Sequence, residues 1–193
     1  TSTTEVKTNK ISPATGVAFA LGDSGDTFTV PSGATIVNSG TATGFGGITM
    51  ADSWRVNTTF TGTADPIASN WERTDTAGPG FIGSAMTESS GIFTFPSTGI
   101  YYIIFHTCFF YNGDTRYITS YLQTTVNDSA YISGAETNCF IQETSSNTTW
   151  NAVTSFFIFV VTDTANCKVR FSVIPGDAST STIGETGTDA TSV

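Results

Sequence analysis

Basic residues, leucine and long apolar runs are scarce in this chain of 193 residues. Seven Lys and Arg stand against 16 Asp and Glu, for a formal net charge of −9. No basic patch exists to neutralise phosphates, which disfavours nucleic-acid binding. No apolar run reaches the roughly 18 residues that predict a membrane-spanning helix, so we expect no membrane insertion. Two Leu, three Lys and six Glu are too few for a helical protein.

Cysteine and histidine are also sparse. Cys108, Cys139 and Cys167 are an odd number of thiols at wide spacing, which does not indicate a disulfide framework. No Cys-x-x-Cys pair or histidine cluster accompanies them, so we expect no zinc site and interpret them as small hydrophobic residues in strands. The single histidine, His106, has no catalytic motif around it, and we interpret it as structural.

We therefore expect no enzymatic activity and no cofactor. The carboxylates Asp65, Glu72 and Asp75 lie near Trp71 in the sequence. The paired carboxylates of a glycosidase, however, need a cleft with aromatic platforms. Enzymes that depolymerise polysaccharides also usually have much longer solenoid domains. The oxygen-rich turns at 23–26 and 112–114 lack the ligand number and spacing of a calcium loop. Hydrogen-bonded turns explain them sufficiently.

Threonine, serine and aromatic residues are abundant instead. The chain has 37 Thr and 21 Ser, and its 15 Phe, six Tyr and three Trp are too many aromatics for a disordered acidic chain. From about residue 51, runs of β-forming residues with period-two alternation are separated by turn residues, which predicts an all-β sandwich or barrel. The predicted strands lie near Trp54–Thr61, Ile67–Arg73, Phe81–Met86, Gly91–Phe95, Gly99–Tyr111, Arg116–Val126, Ala130–Ile132, Asn138–Thr144, Thr149–Thr162, Cys167–Ile174 and Ser181–Ile183.

The composition divides the chain into residues 1–50 and 51–193. The first part holds short strand-like pieces, such as Thr27–Val30 and Ala34–Val37, between turns such as Pro31–Gly33. Each piece is too sparsely apolar to bury a core alone. We therefore predict an extended β-rich stalk or anchor that is stable when several copies wind together, with a disordered tail as the alternative. The second part is long enough to form a knob with a core of its own.

Two predicted strands are apolar on both faces, Gly99–Tyr111 and the run around Ser155–Val161. Alternate side chains of a strand point to opposite faces, and one domain does not need so much interior surface. The surplus predicts that another subunit covers one face. One face of the first strand carries Tyr101, Ile103 and Phe105, and the other carries Tyr102, Ile104 and His106.

The segment around that strand resembles the globular head of the complement (C-one-q) and tumour necrosis factor superfamily. The shared pattern is Gly-x-Phe-x-x-Pro-x-x-Gly-x-Tyr-Tyr, here Gly91, Phe93, Pro96, Gly99, Tyr101 and Tyr102. The resemblance covers roughly residues 54–175 and implies a ten-stranded jelly roll that assembles as a homotrimer. It also implies that Tyr102, Ile104 and His106 line the three-fold axis. The chain departs from the family at its last strand, because 180–193 is polar.

The N-terminal part resembles the opening module of fibre proteins of marine tailed bacteriophages. The resemblance rests on Lys7–Pro13 and Gly22–Ala34 and covers about 45 residues. It implies a virion protein that is made in the bacterial cytoplasm, binds other virion proteins through its N-terminal segment and is exposed on the particle. Thr1–Glu5 shows no signal peptide, which agrees with use without secretion or with a signal already removed.

Together these features predict a trimeric bacteriophage fibre that binds a host-surface glycan or protein and performs no catalysis. The alternatives are a capsid decoration or head-fibre protein of the same fold and, from another class, a secreted complement-like lectin. The predicted contact loops are Thr74–Gly80, Tyr111–Arg116 and Ser145–Trp150. Within them the candidate receptor contacts are Asn112, Asp114, Arg116 and Trp150.

Overall fold

The computed structural model of the chain describes residues 23–37, 47–75, 78 and 80–185. The chain divides into two compact units, Thr1–Phe45 and Gly46–Val193. Much of the predicted stalk lies outside the described residues, as does all but Gly47 of the Gly-rich flexible linker that the sequence predicts at 40–47. The boundary at residue 50 stays a prediction.

The described segment 23–37 of the first unit contains two turns and no strand. The backbone N–H of Asp26 donates to the C=O of Asp23 at 3.0 Å, and Ala34 N–H donates to Pro31 C=O at 3.0 Å. Both turns lie where the sequence predicts them. The apolar side chains between and after them, including Phe28 and Val37, are exposed. Among the described residues no strand pairs with this segment, and short extended segments are not stable as strands without partners.

The second unit is all-β, which confirms the predicted class. Its described residues form thirteen strands and no helix, and no helix in the described ranges is long and apolar enough to cross a membrane. The strands are β1 (Ala51–Asp52), β2 (Trp54–Val56), β3 (Phe60–Thr61), β4 (Trp71–Arg73), β5 (Phe81–Ile82), β6 (Thr87–Ser89), β7 (Ile92–Thr94), β8 (Gly99–Tyr111), β9 (Thr115–Thr125), β10 (Ile132–Ile141), β11 (Thr149–Val161), β12 (Lys168–Pro175) and β13 (Ser181–Thr182).

Two larger sheets and two small ones make up this unit. One sheet has the order β10-β9-β12-β7-β6, and the other has the order β11-β8-β13-β3. The small sheets pair β1 with β5 and β2 with β4. Rings from the two larger sheets contact each other, as between Phe105 and Phe171 at 4.7 Å between centroids. The hydrophobic core therefore lies between the two sheets, as in a sandwich.

The core is rich in aromatic rings. Phe93 is only 2% exposed and makes edge-on contacts with Trp54, Trp71 and Phe171 at 5.0–5.5 Å between centroids. Such edge-to-face pairs contribute about 0.5–1.5 kcal/mol each beyond the area they bury. The small β2–β4 sheet thereby packs its two tryptophans against the five-stranded sheet.

The residues of the Gly-x-Phe motif have structural roles in this chain. Gly91 has a φ of +80°, and a Cβ there would lie 2.2 Å from the carbonyl oxygen of Ile67. Only glycine therefore fits this turn before β7. Tyr101 donates its hydroxyl hydrogen to the C=O of Ser97 at 2.8 Å, which fixes the turn between β7 and β8.

Candidate subunit interface and contact loops

Strands β8 and β11 pair antiparallel along their full lengths. Gly99 is opposite Val161 at one end, and Tyr111 is opposite Thr149 at the other. No register shift interrupts the pairing, so directly opposed residues share a face of the sheet. The two strands thus present two continuous rows of paired side chains, one on each face.

The inward row contributes to the hydrophobic core. Phe105 is 5% exposed, and Tyr101 and Ile103 are half-buried against the core cluster. From β11, Phe159 and Val161 are buried on the same side. Tyr101, Ile103 and Phe105 are the residues that the sequence places together on one face of the strand.

The outward row is apolar and exposed, and we call its six large side chains the apolar face. Ile104 is opposite Phe156, Tyr102 is opposite Ile158, and Ile100 is opposite Val160. The exposed fractions are 77% for Ile100, 62% for Tyr102, 59% for Ile104, 64% for Phe156, 63% for Ile158 and 54% for Val160. Large contiguous patches of this kind mark interaction surfaces in soluble proteins.

The outward row continues beyond the apolar face with a polar pair. His106 lies opposite Thr154, and its Nδ1 is 2.6 Å from the Thr154 hydroxyl oxygen. Two pairs further along, the Phe110 ring contacts the Trp150 ring in a tilted arrangement at 4.9 Å between centroids. From Ile100 to Phe110 the row is about 34 Å long at the usual rise per residue. The three predicted axis residues, Tyr102, Ile104 and His106, all lie on it.

The sequence pointed to the β11 run but not to the residues that face Tyr102. To know which residues of β11 lie opposite Tyr102, one needs the register between two strands that are about fifty residues apart in sequence. A register shift of one residue moves every side chain of a strand to the other face of the sheet. The pairing of Ile158 with Tyr102 identifies Phe156, Ile158 and Val160 as the missing half of the face.

The predicted receptor-contact residues lie in two places. Asn112 and Asp114 are exposed in the β8–β9 turn, and Arg116 is exposed at the start of β9. Trp150 lies inside β11 rather than in a loop, because β11 pairs with β8 through Trp150 opposite Phe110. The loop Thr74–Gly80 is only partly within the described residues.

A hydrogen bond connects the β8–β9 turn to the β10–β11 loop. The backbone N–H of Glu143 donates to the Asp114 carboxylate at 2.7 Å. Nearby, a shallow hollow of about 270 Å³ lies between the turn and the end of β10, lined by Asp114, Arg116 and the exposed ring of Phe140 among others. Charge of both signs beside an exposed ring provides a surface that can contact a polar ligand.

The three cysteines are free, with Cys167 buried and Cys108 and Cys139 half-buried. Burial raises the pKa of the Cys139 thiol to about 11, and it also raises the pKa of Cys108. Both thiols are thus held in the unreactive neutral form at physiological pH. Over the described ranges, no three His, Cys, Asp or Glu side chains form a group that could hold a metal ion.

No family model matches this chain, and no curated protein matches it.

Proposed function

We propose that this chain is a structural protein of a bacteriophage virion, a homotrimeric fibre that attaches the particle to its host. Residues 1–50 anchor it to other virion proteins, and residues 51–193 form a jelly-roll knob exposed on the particle. This proposal rests on the apolar face of β8 and β11. It also rests on the resemblance of the N-terminal part to phage fibre proteins and of the second part to the complement and tumour necrosis factor superfamily.

A second and third copy of the chain are the simplest cover for the apolar face. Fully burying a large apolar side chain contributes roughly 1.5–3 kcal/mol. Six of them in each of three chains contribute on the order of 30 kcal/mol, against two association steps that cost roughly 4–15 kcal/mol each. In a closed cyclic assembly every copy of the apolar face is covered by another copy. No apolar face then remains exposed to add further chains in an open-ended array. The threefold order itself follows from the family resemblance.

The knob's contact function rests on its loops. In a trimer the turn at Asn112–Asp114 and the hollow beside Arg116 occur three times on one particle appendage. Three weak contacts on one rigid body bind with an avidity far above that of each alone. The net charge of −9 per chain disfavours attachment by charge to anionic surfaces, so a specific glycan or protein is the expected receptor.

Adsorption of the purified, fluorescently labelled protein to susceptible bacteria tests the attachment function. We expect saturable binding that competes with particle adsorption and falls for Arg116→Ala, while a matched surface variant, Ser89→Ala, leaves it unchanged. No binding to any susceptible host contradicts the attachment function.

Localisation on the intact particle separates the fibre from the capsid-decoration alternative. Gold-labelled antibodies against the knob should mark the distal end of a fibre. Labelling spread over the capsid shell would instead assign the chain to decoration of the head.

A further inference from the structure

Two loops of the knob meet at the start of β9. The β8–β9 turn and the β10–β11 loop both lie there, because Ile141 at the end of β10 is opposite Thr115 at the start of β9. The hydrogen bond from the Glu143 N–H to the Asp114 carboxylate holds the two loops together at 2.7 Å. The hollow of about 270 Å³ lies between these segments, so the strand pairing fixes the position of its walls.

A β-bulge lies beside the hollow. Between two regular pairs, β9 contributes two residues, Arg116 and Tyr117, where β10 contributes only Phe140. All three side chains are exposed. Neighbouring side chains of a regular strand point to opposite faces, so the bulge allows two successive residues of β9 to be exposed opposite the Phe140 ring. Bulges are common next to functional sites, because they redirect a side chain.

Hydrogen bonds fix the backbone around the bulge. The hydroxyl of the buried Thr115 donates to the C=O of Tyr117 at 3.1 Å and accepts from the N–H of Asp177 at 3.2 Å. On the other strand, the side-chain amide of Asn151 donates to the C=O of Phe140 at 2.7 Å. A surface whose backbone is already held in this way loses little conformational entropy when a ligand binds.

The polar groups that line the hollow retain hydrogen-bonding capacity. Within the part of the chain that the structure describes, neither the Arg116 guanidinium nor the Gln142 amide makes a hydrogen bond or an ion pair. The Asp114 carboxylate uses one oxygen for the Glu143 N–H and retains the other as an acceptor. A carboxylate accepts, a guanidinium donates and a carboxamide does both. Together they match the hydroxyls of a sugar, which also donate and accept.

The Phe140 ring and the balance of charge narrow the class of ligand further. The ring is 59% exposed, and the negative face of its π-system attracts the weakly polarised C–H bonds of a sugar ring. The opposite charges of Asp114 and Arg116 offset each other, so the hollow has no surplus positive charge that would favour an anion. Its volume is near the lower end for ligand pockets, about 300 Å³, and therefore suits one small ring.

We propose that this hollow binds one uncharged sugar ring of a host-surface glycan. The sugar stacks on the Phe140 ring, and its hydroxyls form hydrogen bonds with Asp114, Arg116 and Gln142. The inference rests on the proposed attachment function and narrows its receptor from a glycan or protein to a glycan with an uncharged sugar. It does not depend on the trimer.

Chemical treatment of the host cells tests the class of ligand. Periodate cleaves the vicinal diols of sugars, whereas protease treatment removes protein receptors. Adsorption of the labelled full chain should fall at least about tenfold after the cells are treated with periodate and then borohydride, because the hydroxyls that the site binds are lost. Adsorption that survives periodate overturns the sugar assignment and leaves the attachment function intact. No adsorption to untreated cells contradicts the attachment function, and this inference with it.

Variants of the aromatic ring test the location of the site. Phe140→Ala removes the stacking surface and should weaken adsorption at least about tenfold, whereas Phe140→Trp keeps an aromatic face and should adsorb like the unmodified chain. The matched control is Val126→Ala, which shortens a similarly exposed apolar side chain just beyond the opposite end of β9. Circular dichroism verifies that each variant is folded. Equal adsorption of Phe140→Ala and Val126→Ala overturns the assignment of the site.

The dependence of adsorption on salt distinguishes an uncharged sugar from an anionic group. Raising the NaCl concentration from about 0.1 M to about 1 M shortens the screening length from about 10 Å to about 3 Å. Adsorption through stacking and hydrogen bonds to an uncharged ring should change by less than about twofold over this range. Gln142→Ala, which removes a neutral hydrogen-bonding group, should weaken adsorption at both concentrations. A larger loss at high salt shows that the hollow binds an anion and overturns the proposal.

Discussion

At the scale of single residues, Asp52 and Arg73 form a charged pair that several hydrogen bonds hold in place. The Asp52 carboxylate is 1% exposed and accepts from Arg73 at 2.9 and 3.1 Å and from the N–H of Met86 at 2.7 Å. The hydrogen bond to Asp52 is the main cause that raises the pKa of Arg73. The guanidinium also lies 4.3 Å from the centre of the Trp54 ring. This cluster positions β1 and β2 against β4 and β5.

Replacement of Asp52 should destabilise the knob strongly. Asp52→Ala removes the acceptor of the Met86 N–H and the carboxylate that pairs with Arg73, whose guanidinium keeps its hydrogen bond to the C=O of Met86 at 2.8 Å. Removal of one partner of a buried pair typically costs about 3–5 kcal/mol. Urea unfolding followed by tryptophan fluorescence measures the change. The exposed carboxylate Glu143 provides the control, since Glu143→Ala should change the free energy of unfolding by under about 0.5 kcal/mol. Equal stability of the two variants would contradict the assigned role of the pair.

At the scale of elements, the long strands could be predicted with nearly correct bounds, whereas the short ones could be predicted less completely. Strands β7 and β13 lie inside predicted segments and are shorter than predicted. The bounds of β8 are those predicted, and β9 is displaced from its prediction by one residue at each end. A long run of alternating apolar and polar residues indicates a strand by itself, without knowledge of the strands it pairs with. The two-residue β1 and the three-residue β6 were missed, because such short strands exist only through partners distant in sequence.

Strand β10 shows a second limit of prediction. The sequence predicts a break between Ile132 and Asn138, since glycine in a run usually ends a strand. The strand instead continues through Gly134 with a register shift. A Cβ at Gly134 would lie 2.9 Å from ring carbons of Phe157, so glycine is there to let β11 approach closely. Only the tertiary packing distinguishes this use of glycine from a turn.

The two faces of β8 should respond differently to substitution. Tyr102→Asp places a carboxylate in the middle of the apolar face, and burying three unpaired charges in a trimer would cost several kcal/mol each. We expect this variant to sediment as a folded monomer. Phe105→Ala should instead lower the free energy of unfolding by about 3–5 kcal/mol, because it empties part of the core.

The control for the outward face is Tyr102→Phe, which keeps the ring and should assemble like the unmodified chain. Analytical ultracentrifugation and circular dichroism together separate assembly from folding. An intact trimer of Tyr102→Asp would show that the apolar face is not the interface.

At the scale of the whole molecule, the surplus of apolar surface is the feature that most needs an explanation. The core between the sheets already buries fifteen hydrophobic residues, while the apolar face exposes six more on one pair of strands. The sequence could predict this surplus because two strands are apolar on both faces. It could not predict which residues of β11 complete the apolar face, because that depends on the register between two strands that are distant in sequence.

The molar mass in solution decides whether the chain is a homotrimer. Light scattering coupled to size exclusion, at neutral pH and micromolar concentration, gives the mass without a shape assumption. For a homotrimer we expect about 61 kDa, from three chains of 20.3 kDa each. A mass near 20 kDa for the unmodified chain at these concentrations would contradict it.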